Sequence, residues 1–167
     1  GCDSLTSIVI PDSVTSIGSA VFDDCYNLVE IVVANDNQYY TSDDGILFNK
    51  EKTRLIKYAG GNGQTDYTIP DTVLYVNANA FANCLGIYNV VIPDSVTNVY
   101  ANAFLEWRKL KSVKIGNGLT EIADYTFKNC WNLKNIEFGN SVTTLGEQAF
   151  YGCSSLKQVV IPESVTT

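Results

Sequence analysis

The 167-residue sequence predicts a repeat solenoid with a parallel β-sheet face, short helical or 3₁₀ turns and one inserted β-hairpin. Three observations carry this expectation. The gaps between Cys2, Cys25, Cys84, Cys130 and Cys153 are 23, 59, 46 and 23, and Trp107 falls one short gap after Cys84, where a cysteine is skipped. Phe22, Phe81, Phe104, Phe127 and Phe150 share one phase, the last four at that same short spacing. All four prolines, Pro11, Pro70, Pro93 and Pro162, share another. A fixed period of this kind marks a solenoid, because one coil cannot bury its apolar side alone and stacked coils can.

One unit runs Cys-x-x-Leu-x-x-Ile-x-Ile-Pro-x-x-Val-x-x-Ile-x-x-x-Ala-Phe-x-x. The Ile-x-Ile pairs, such as Ile8/Ile10 and Val113/Ile115, are β-branched and alternate, which predicts a short strand with one face inward. Proline then ends the strand, having no N–H to donate and a fixed φ. Val-x-x-Ile carries the chain round the next side, and Ala-Phe-x-x-Cys fits a short helical or 3₁₀ turn with Phe pointing inward. The strands are expected to begin at Ile8, Ile31, Tyr67, Val90, Val113, Ile136 and Val159, giving about seven rungs in one solenoid over residues 1–167. The cysteine, Trp107 and phenylalanine columns then form a structural ladder. Gly116 and Gly139 in place of proline, and Thr126 in place of alanine, read as local repacking.

One unit, about residues 31–69, is a 36-residue coil, longer than the standard unit by 13. Within it, Gly45–Phe48 and Arg54–Tyr58 flank the polar Asn49-Lys50-Glu51-Lys52-Thr53, so a hairpin is expected over about 45–58. Gly60-Gly61-Asn62-Gly63 is the return loop; it lacks the Lys-Ser/Thr or Gly-x-Gly-x-x-Gly pattern of a phosphate cradle.

Composition narrows the function. With 46% apolar residues and 11% aromatics, the chain can build a core. Its formal charge of -7 and pI near 4.4 argue against nucleic acid and anionic membrane as partners. No apolar run approaches a membrane span, so no membrane insertion is expected of this segment. Histidine is absent, which removes the usual general base, the Ser-His and Cys-His pairs and most zinc sites. The cysteines never form Cys-x-x-Cys, and a ladder of small buried thiols fits them better than a metal site or a pairing such as Cys2–Cys25 or Cys130–Cys153. Asp23/Asp24, Asp43/Asp44 and Glu121/Asp124 are the carboxylate pairs a hydrolase would need, and they read as solvated turn residues. Asn35-Asp36-Asn37 with Asp43 and Asp44 is the one acidic, Asn-rich cluster and does not match a calcium loop. No Asn-x-Ser/Thr sequon occurs. No catalytic residue, metal ligand or cofactor is expected.

Segments such as Cys153-Ser154-Ser155-Leu156 through Ile161-Pro162-Glu163-Ser164-Val165, and Leu145-Gly146-Glu147-Gln148-Ala149-Phe150, closely resemble the BspA-type leucine-rich repeats of bacterial and protozoan surface proteins. The long coil resembles a variant unit of that family through Tyr40–Phe48 and Thr53–Tyr58. The resemblance covers essentially the whole chain. It implies a leucine-rich-repeat solenoid, display at the cell surface or secretion, and adhesion to protein ligands such as host extracellular-matrix or surface proteins. It brings no catalytic motif.

Contact sites are expected in two places. The outward column of the strand face runs Val9, Val32, Thr68, Val91, Lys114, Glu137 and Val160, with Glu30, Asn89 and Asn135 in the neighbouring column. Tyr39, Tyr40 and Tyr58 cluster around the hairpin, and tyrosine gives large contact area with a polar handle. Against both stands the plainer reading, that valine favours strands and tyrosines pack the hairpin onto its coil. The leading expectation is therefore a non-catalytic interaction module; the alternative is a structural spacer that carries another domain of a longer protein. Both ends fall mid-repeat, so they read as truncated, with end-to-end self-association through bare strands at Ile8 and Val159.

Overall fold

In the computed structural model, which describes residues 1–19, 21–59, 64–84 and 86–167, each repeat is a coil with three sides. The first side carries β1 (Ser7–Ile10), β2 (Glu30–Val33), β6 (Asp66–Thr68), β8 (Asn89–Ile92), β10 (Ser112–Ile115) and β12 (Asn135–Glu137). Parallel pairing joins Ser7 to Glu30 and Ile8 to Ile31, and in the later coils joins Val90 to Val113 and Val113 to Ile136, so the period seen in the sequence is the register of the sheet. Ile31, Val33, Val90, Ile92, Val113 and Ile115 are buried while their neighbours face out, as alternation requires. The second side carries two-residue strands after each turn: β7 (Tyr75–Val76), β9 (Asn98–Val99), β11 (Glu121–Ile122) and β13 (Thr144–Leu145). These stack in the same parallel sense.

Two expectations about the first side are corrected. The seventh strand, at Val159, is not formed: residues 157–161 carry no strand. That stretch is tied to its neighbour at the corners instead, where Ser155 N donates to Trp131 O at 3.1 Å and Thr166 N to Thr143 O at 2.9 Å. The rungs also do not stack without a gap. The first side consists of a two-stranded sheet, β1–β2, and a four-stranded sheet, β6–β8–β10–β12, and among the described residues β2 does not pair with β6.

The gap follows from the long coil. Its hairpin, β4 (Ile46–Asn49) and β5 (Arg54–Lys57), lies inside the expected range. A further strand, β3 (Tyr40–Asp43), pairs antiparallel with β4 through the two-residue turn Asp44-Gly45, both at positive φ (47° and 79°). This is the type I′ geometry that Asp-Gly favours. β5 then runs parallel to β7, so the meander extends the second side into the sheet β3–β4–β5–β7–β9. The tip of the β3–β4 turn reaches the first side, where Ile31 N donates to Gly45 O at 3.2 Å beside β2. A Cβ at Gly45 would sit 3.1 Å from Val29 O and 3.3 Å from Ala59 O, so the close approach needs glycine.

Among the described residues the third side is not helical, which corrects the expected short helical or 3₁₀ turns. The four later turns each hold two residues at positive φ, four apart: Asn79/Asn83, Asn102/Glu106, Tyr125/Asn129 and Gln148/Gly152. Left-handed residues break the right-handed ladder of a helix. Their turns aim N–H groups along the solenoid axis: Phe81 N donates to Ala103 O at 2.7 Å, Phe104 N to Thr126 O at 3.0 Å and Phe127 N to Ala149 O at 2.9 Å. The later coils are thus bonded through the backbone across β6–β8–β10–β12 on the first side, within β7–β9 and β11–β13 on the second, and through the left-handed turns on the third; among the described residues β9 and β11 do not pair.

Inside the later coils Phe81, Phe104, Phe127 and Phe150 stack with ring centroids 4.9, 5.0 and 5.6 Å apart. Trp107, fully buried in the cysteine column, lies flat on Phe81 at 5.3 Å and on Phe104 at 5.8 Å. The core is divided at the long coil. Ile10, Phe22, Leu28, Ile31, Val33, Leu47 and Ala59 form one cluster, and the residues from Ile46, Phe48 and Leu55 onward form the other.

Candidate binding surfaces

The sequence-predicted face divides where the sheet divides. On β1–β2, Val9 and Val32 are opposite partners, 66% and 39% exposed, with Ser7 and Glu30 as the neighbouring pair. On the four-stranded sheet the same columns are polar. Thr68, Val91, Lys114 and Glu137 follow one another across β6, β8, β10 and β12, with Val91 half-buried and Lys114 Nζ 4.0 Å from Glu137 Oε2. Beside them the side chains bond to one another. Thr65 Oγ1 donates to Asp66 Oδ2 at 2.7 Å, Asn89 Nδ2 to Asp66 Oδ1 at 2.6 Å and Ser112 Oγ to Asn89 Oδ1 at 2.7 Å. The Thr65 hydroxyl and the Asn89 amide hold the Asp66 carboxyl below its ordinary value. Asn135 continues this column as an exposed residue, and Val160 is 75% exposed outside any strand. The seven positions therefore do not make one continuous apolar stripe.

The hairpin tyrosines are mostly committed to packing, which corrects their assignment as contact residues. Tyr58 is buried and stacks on Phe81 at 5.1 Å, extending the phenylalanine column by one ring. The half-buried Tyr40 accepts a hydrogen bond from Ile17 N at 3.0 Å on its hydroxyl. Tyr39 alone of the three is well exposed. The return loop at residues 60–63 lies outside the described residues.

None of the five cysteines is joined in a disulfide. Cys130 and Cys153 are buried, and each thiol donates to the carbonyl of the preceding coil's phenylalanine, Phe104 O and Phe127 O, both at 3.1 Å. Burial raises both thiols, Cys153 to about 11, which disfavours the thiolate that redox and metal chemistry need. Cys84 is buried as well, whereas Cys2 is exposed and Cys25 half-buried, so the ladder is a property of the later coils and Cys2 stands outside it.

The acidic candidates are occupied locally. Asp43 Oδ2 accepts from Lys52 Nζ at 2.7 Å, Asp44 sits in the turn, Asp23 Oδ2 accepts from Asn79 Nδ2 at 3.1 Å, and Asp124 Oδ1 accepts from Glu147 N at 2.6 Å. In the Asn-rich cluster, Asn37 is fully buried. Its amide donates to Pro11 O and Val14 O, and its oxygen accepts from Tyr39 N and Tyr40 N, all between 2.8 and 3.0 Å. It fastens the start of the meander to the first coil. Among the described residues no group of three or more His, Cys, Asp or Glu side chains converges on a metal position.

One buried charge was not foreseen. Lys57, at the end of β5, is buried, and its ammonium donates to Asn79 O at 3.0 Å and Ala82 O at 3.5 Å. In the later coils the carbonyls of Leu105, Lys128 and Tyr151, each in the column of Ala82, accept from backbone N–H groups of the preceding coil, those of Asn83, Glu106 and Asn129. At the long coil the Lys57 ammonium stands in the place of that N–H. Desolvation lowers the Lys57 pKa, and nearby Asp23 acts against the shift. A cleft of about 110 Å³ opens above it between Asp23, Asp24 and Tyr26 on one wall and Asn79 and Asn83 on the other.

Comparison with known proteins agrees with this architecture. The model of the BspA type leucine rich repeat region matches residues 1–54 and 57–167 in 6 copies. A leucine rich cell surface protein from Faecalibacterium prausnitzii is 32% identical, with a TM-score of 0.90 over 98% of this chain and 43% of that one. A leucine-rich repeat protein from Eubacterium ventriosum, 24% identical, aligns over 97% of this chain and 56% of that one with a TM-score of 0.75. The pneumococcal vaccine antigen PcpA, 22% identical, aligns over 96% and 50% with a TM-score of 0.77. These last two show the fold alone, and the chain spans about half the length of the solved structures it matches. Among curated proteins no sequence relative was found. Among the described residues no helix is long and apolar enough to cross a membrane. Leucine-rich repeats of this bacterial surface type are protein-interaction modules and are typically non-catalytic. With the three-sided 23-residue coil and a family match over nearly its whole length, the chain belongs to the BspA-type leucine-rich repeat family.

Proposed function

We propose that this chain is a non-catalytic adhesion module, displayed at a cell surface or secreted, that takes a protein partner on the outer face of β1–β2. The observation that carries the reading is the opposed pair Val9–Val32. Two β-branched side chains stand exposed side by side, with Ser7 and Glu30 at their rim. Small apolar surface framed by polar groups is the anatomy of a contact site, and the strand face of a solenoid is its usual binding surface. The cell-surface relative from Faecalibacterium prausnitzii supports the location. A spacer role fits the other half of the face, where Asp66, Asn89 and Ser112 bond to one another and leave little apolar surface to offer.

Pull-down with extracellular-matrix proteins tests the two readings, comparing the natural chain with Val9→Asp plus Val32→Asp. Capture lost by a variant that keeps its melting temperature supports the module. Undiminished capture, or no capture of any matrix protein by the natural chain, removes the assignment to β1–β2.

A further inference from the structure

The chain is acidic overall, yet its charge is unevenly placed. Residues 1–100 hold 12 Asp and Glu against 4 Lys and Arg, whereas residues 101–167 hold 6 against 7. Three of those seven cations occupy one position of successive repeats: Lys111, Lys134 and Lys157, immediately before the first-side strand position. The backbone stacks Lys134 on Lys111 in register, since Lys111 N donates to Tyr88 O at 2.7 Å and Lys134 N to Lys111 O at 2.8 Å, and Lys157 holds the same position of the next coil, which is tied on two residues earlier by Ser155 N to Trp131 O at 3.1 Å. All three side chains are exposed. Neighbouring rungs lie about 4.8 Å apart, and like charges placed opposite one another on adjacent strands destabilise a sheet. Among the described residues none of the three forms an ion pair, although acidic residues are plentiful elsewhere in the chain. Lys111 Nζ sits over the Tyr88 ring at 4.2 Å, which steadies it without neutralising it. On the adjoining corner the exposed Trp131 carries the Arg108 guanidinium over its ring at 4.8 Å, and Lys109 adds a further exposed cation.

We propose that the Lys111–Lys134–Lys157 column binds a linear polyanionic glycan, a polysaccharide bearing sulfate or carboxylate groups along its length, laid parallel to the solenoid axis. A repulsive column left without counter-charges is resolved by an anionic partner whose charges repeat with the rungs. A linear glycan meets that requirement, since each hexose unit is about as long as one rung. An extended acidic peptide does not, because its same-face side chains recur about 6.6 Å apart, out of step with rungs about 4.8 Å apart. Trp131 offers a flat apolar surface for a sugar ring, and the amides of Asn135 and Gln158 offer donors and acceptors for hydroxyl groups. The site is separate from the Val9–Val32 pair and does not depend on it.

The test is retention of the chain on immobilised heparin as the sulfated glycan probe, at low salt. The natural chain is retained and is released by salt. K111Q/K134Q/K157Q loses affinity by about tenfold or more, while K50Q/K52Q/K128Q, which removes equal charge elsewhere, elutes with the natural chain. K111R/K134R/K157R keeps the charges and stays bound. The glutamine triple variant melts no lower than the natural chain, because a repulsion has been removed, so its loss of retention is not unfolding. The proposal is overturned if the natural chain is not retained, or if the control variant loses as much. Equal binding to polyglutamate or to single-stranded DNA in competition also overturns it, the occupant then being an acidic peptide or a nucleic acid.

Discussion

The first two coils and the four that follow are written with the same repeat, yet they satisfy their polar groups in different ways. From the third coil onward, the sheet β6–β8–β10–β12, the short pairs β7–β9 and β11–β13 and the left-handed turns bond coil to coil mainly through the backbone, and a single stack of rings fills the centre. In the first two coils only β1 and β2 pair on the first side. Phe22 is buried, but among the described residues no ring stacks on it, and side chains such as Asn37, Tyr40 and Lys57 supply bonds that backbone groups supply elsewhere. Regular repeats close their hydrogen bonds through the main chain, and an irregular coil must borrow side chains to do the same.

Substitutions at equivalent positions probe that contrast most directly. Phe104→Ala removes a fully buried ring stacked on both sides and is expected to cost about 3–5 kcal/mol. Phe22→Ala, at the edge of the smaller cluster, is expected to cost less. Chemical denaturation of the two variants measures both, and equal losses would erase the difference between the regions. Next in size is Lys57→Met, which keeps the apolar stem and deletes the donor to Asn79 O and Ala82 O. Unpaired buried carbonyls of this kind cost about 1–3 kcal/mol. Amide exchange would accelerate around residues 79–84 before it does around 125–130, and uniform protection would show that Lys57 does not hold the junction.

The smallest effect is spread over several groups. Burial raises the Tyr58, Tyr67, Cys130 and Cys153 pKa values in the folded chain. Each group therefore binds its proton more tightly folded than unfolded, and stability is full below the ordinary pKa and falls as pH rises past it. The thiols set the onset, near their ordinary value of 9.0. Lys57, shifted downward, acts in the opposite direction over the same range, one group against four. Melting temperature is expected to decline above about pH 9, and a rise across pH 9 to 11 would contradict the burial of these side chains.

Much of the architecture was legible in the spacing of Cys, Phe and Pro, because a stacked coil repeats its core at a fixed interval. The β4–β5 hairpin was legible too, from two apolar runs around Asn49–Thr53. The strand β3 was missed although its signal was present: Asp44-Gly45 is a two-residue hairpin turn, seen there only as a solvated acidic pair. The left-handed turns were also marked, by asparagines four apart at Asn79 and Asn83, but the same positions hold Glu106, Tyr125 and Gln148, residues with no such preference. Lys57 was beyond reach, since nothing local distinguishes a lysine at a strand end that is drawn inward by the carbonyls of Asn79 and Ala82, one coil further on. The face was legible as a set of columns but not as a surface, because the break between β2 and β6 depends on where a distant turn inserts.

The long coil also has a mechanical meaning. The bonds between coils run along the solenoid axis, so tension applied to its two ends would peel coils off one at a time. A standard 23-residue coil releases at most roughly 80 Å of slack chain, and the 36-residue coil roughly 120 Å. That coil is secured to its neighbours by side chains as well as by an incomplete set of main-chain bonds, with no pairing between β2 and β6 among the described residues, so it joins the longest reserve of length to an interrupted fastening. A tether built this way has its extensible segment, the part of the long coil that follows β2, between the Val9–Val32 pair and the lysine column, and load on one contact would be relieved there before it disturbed the other.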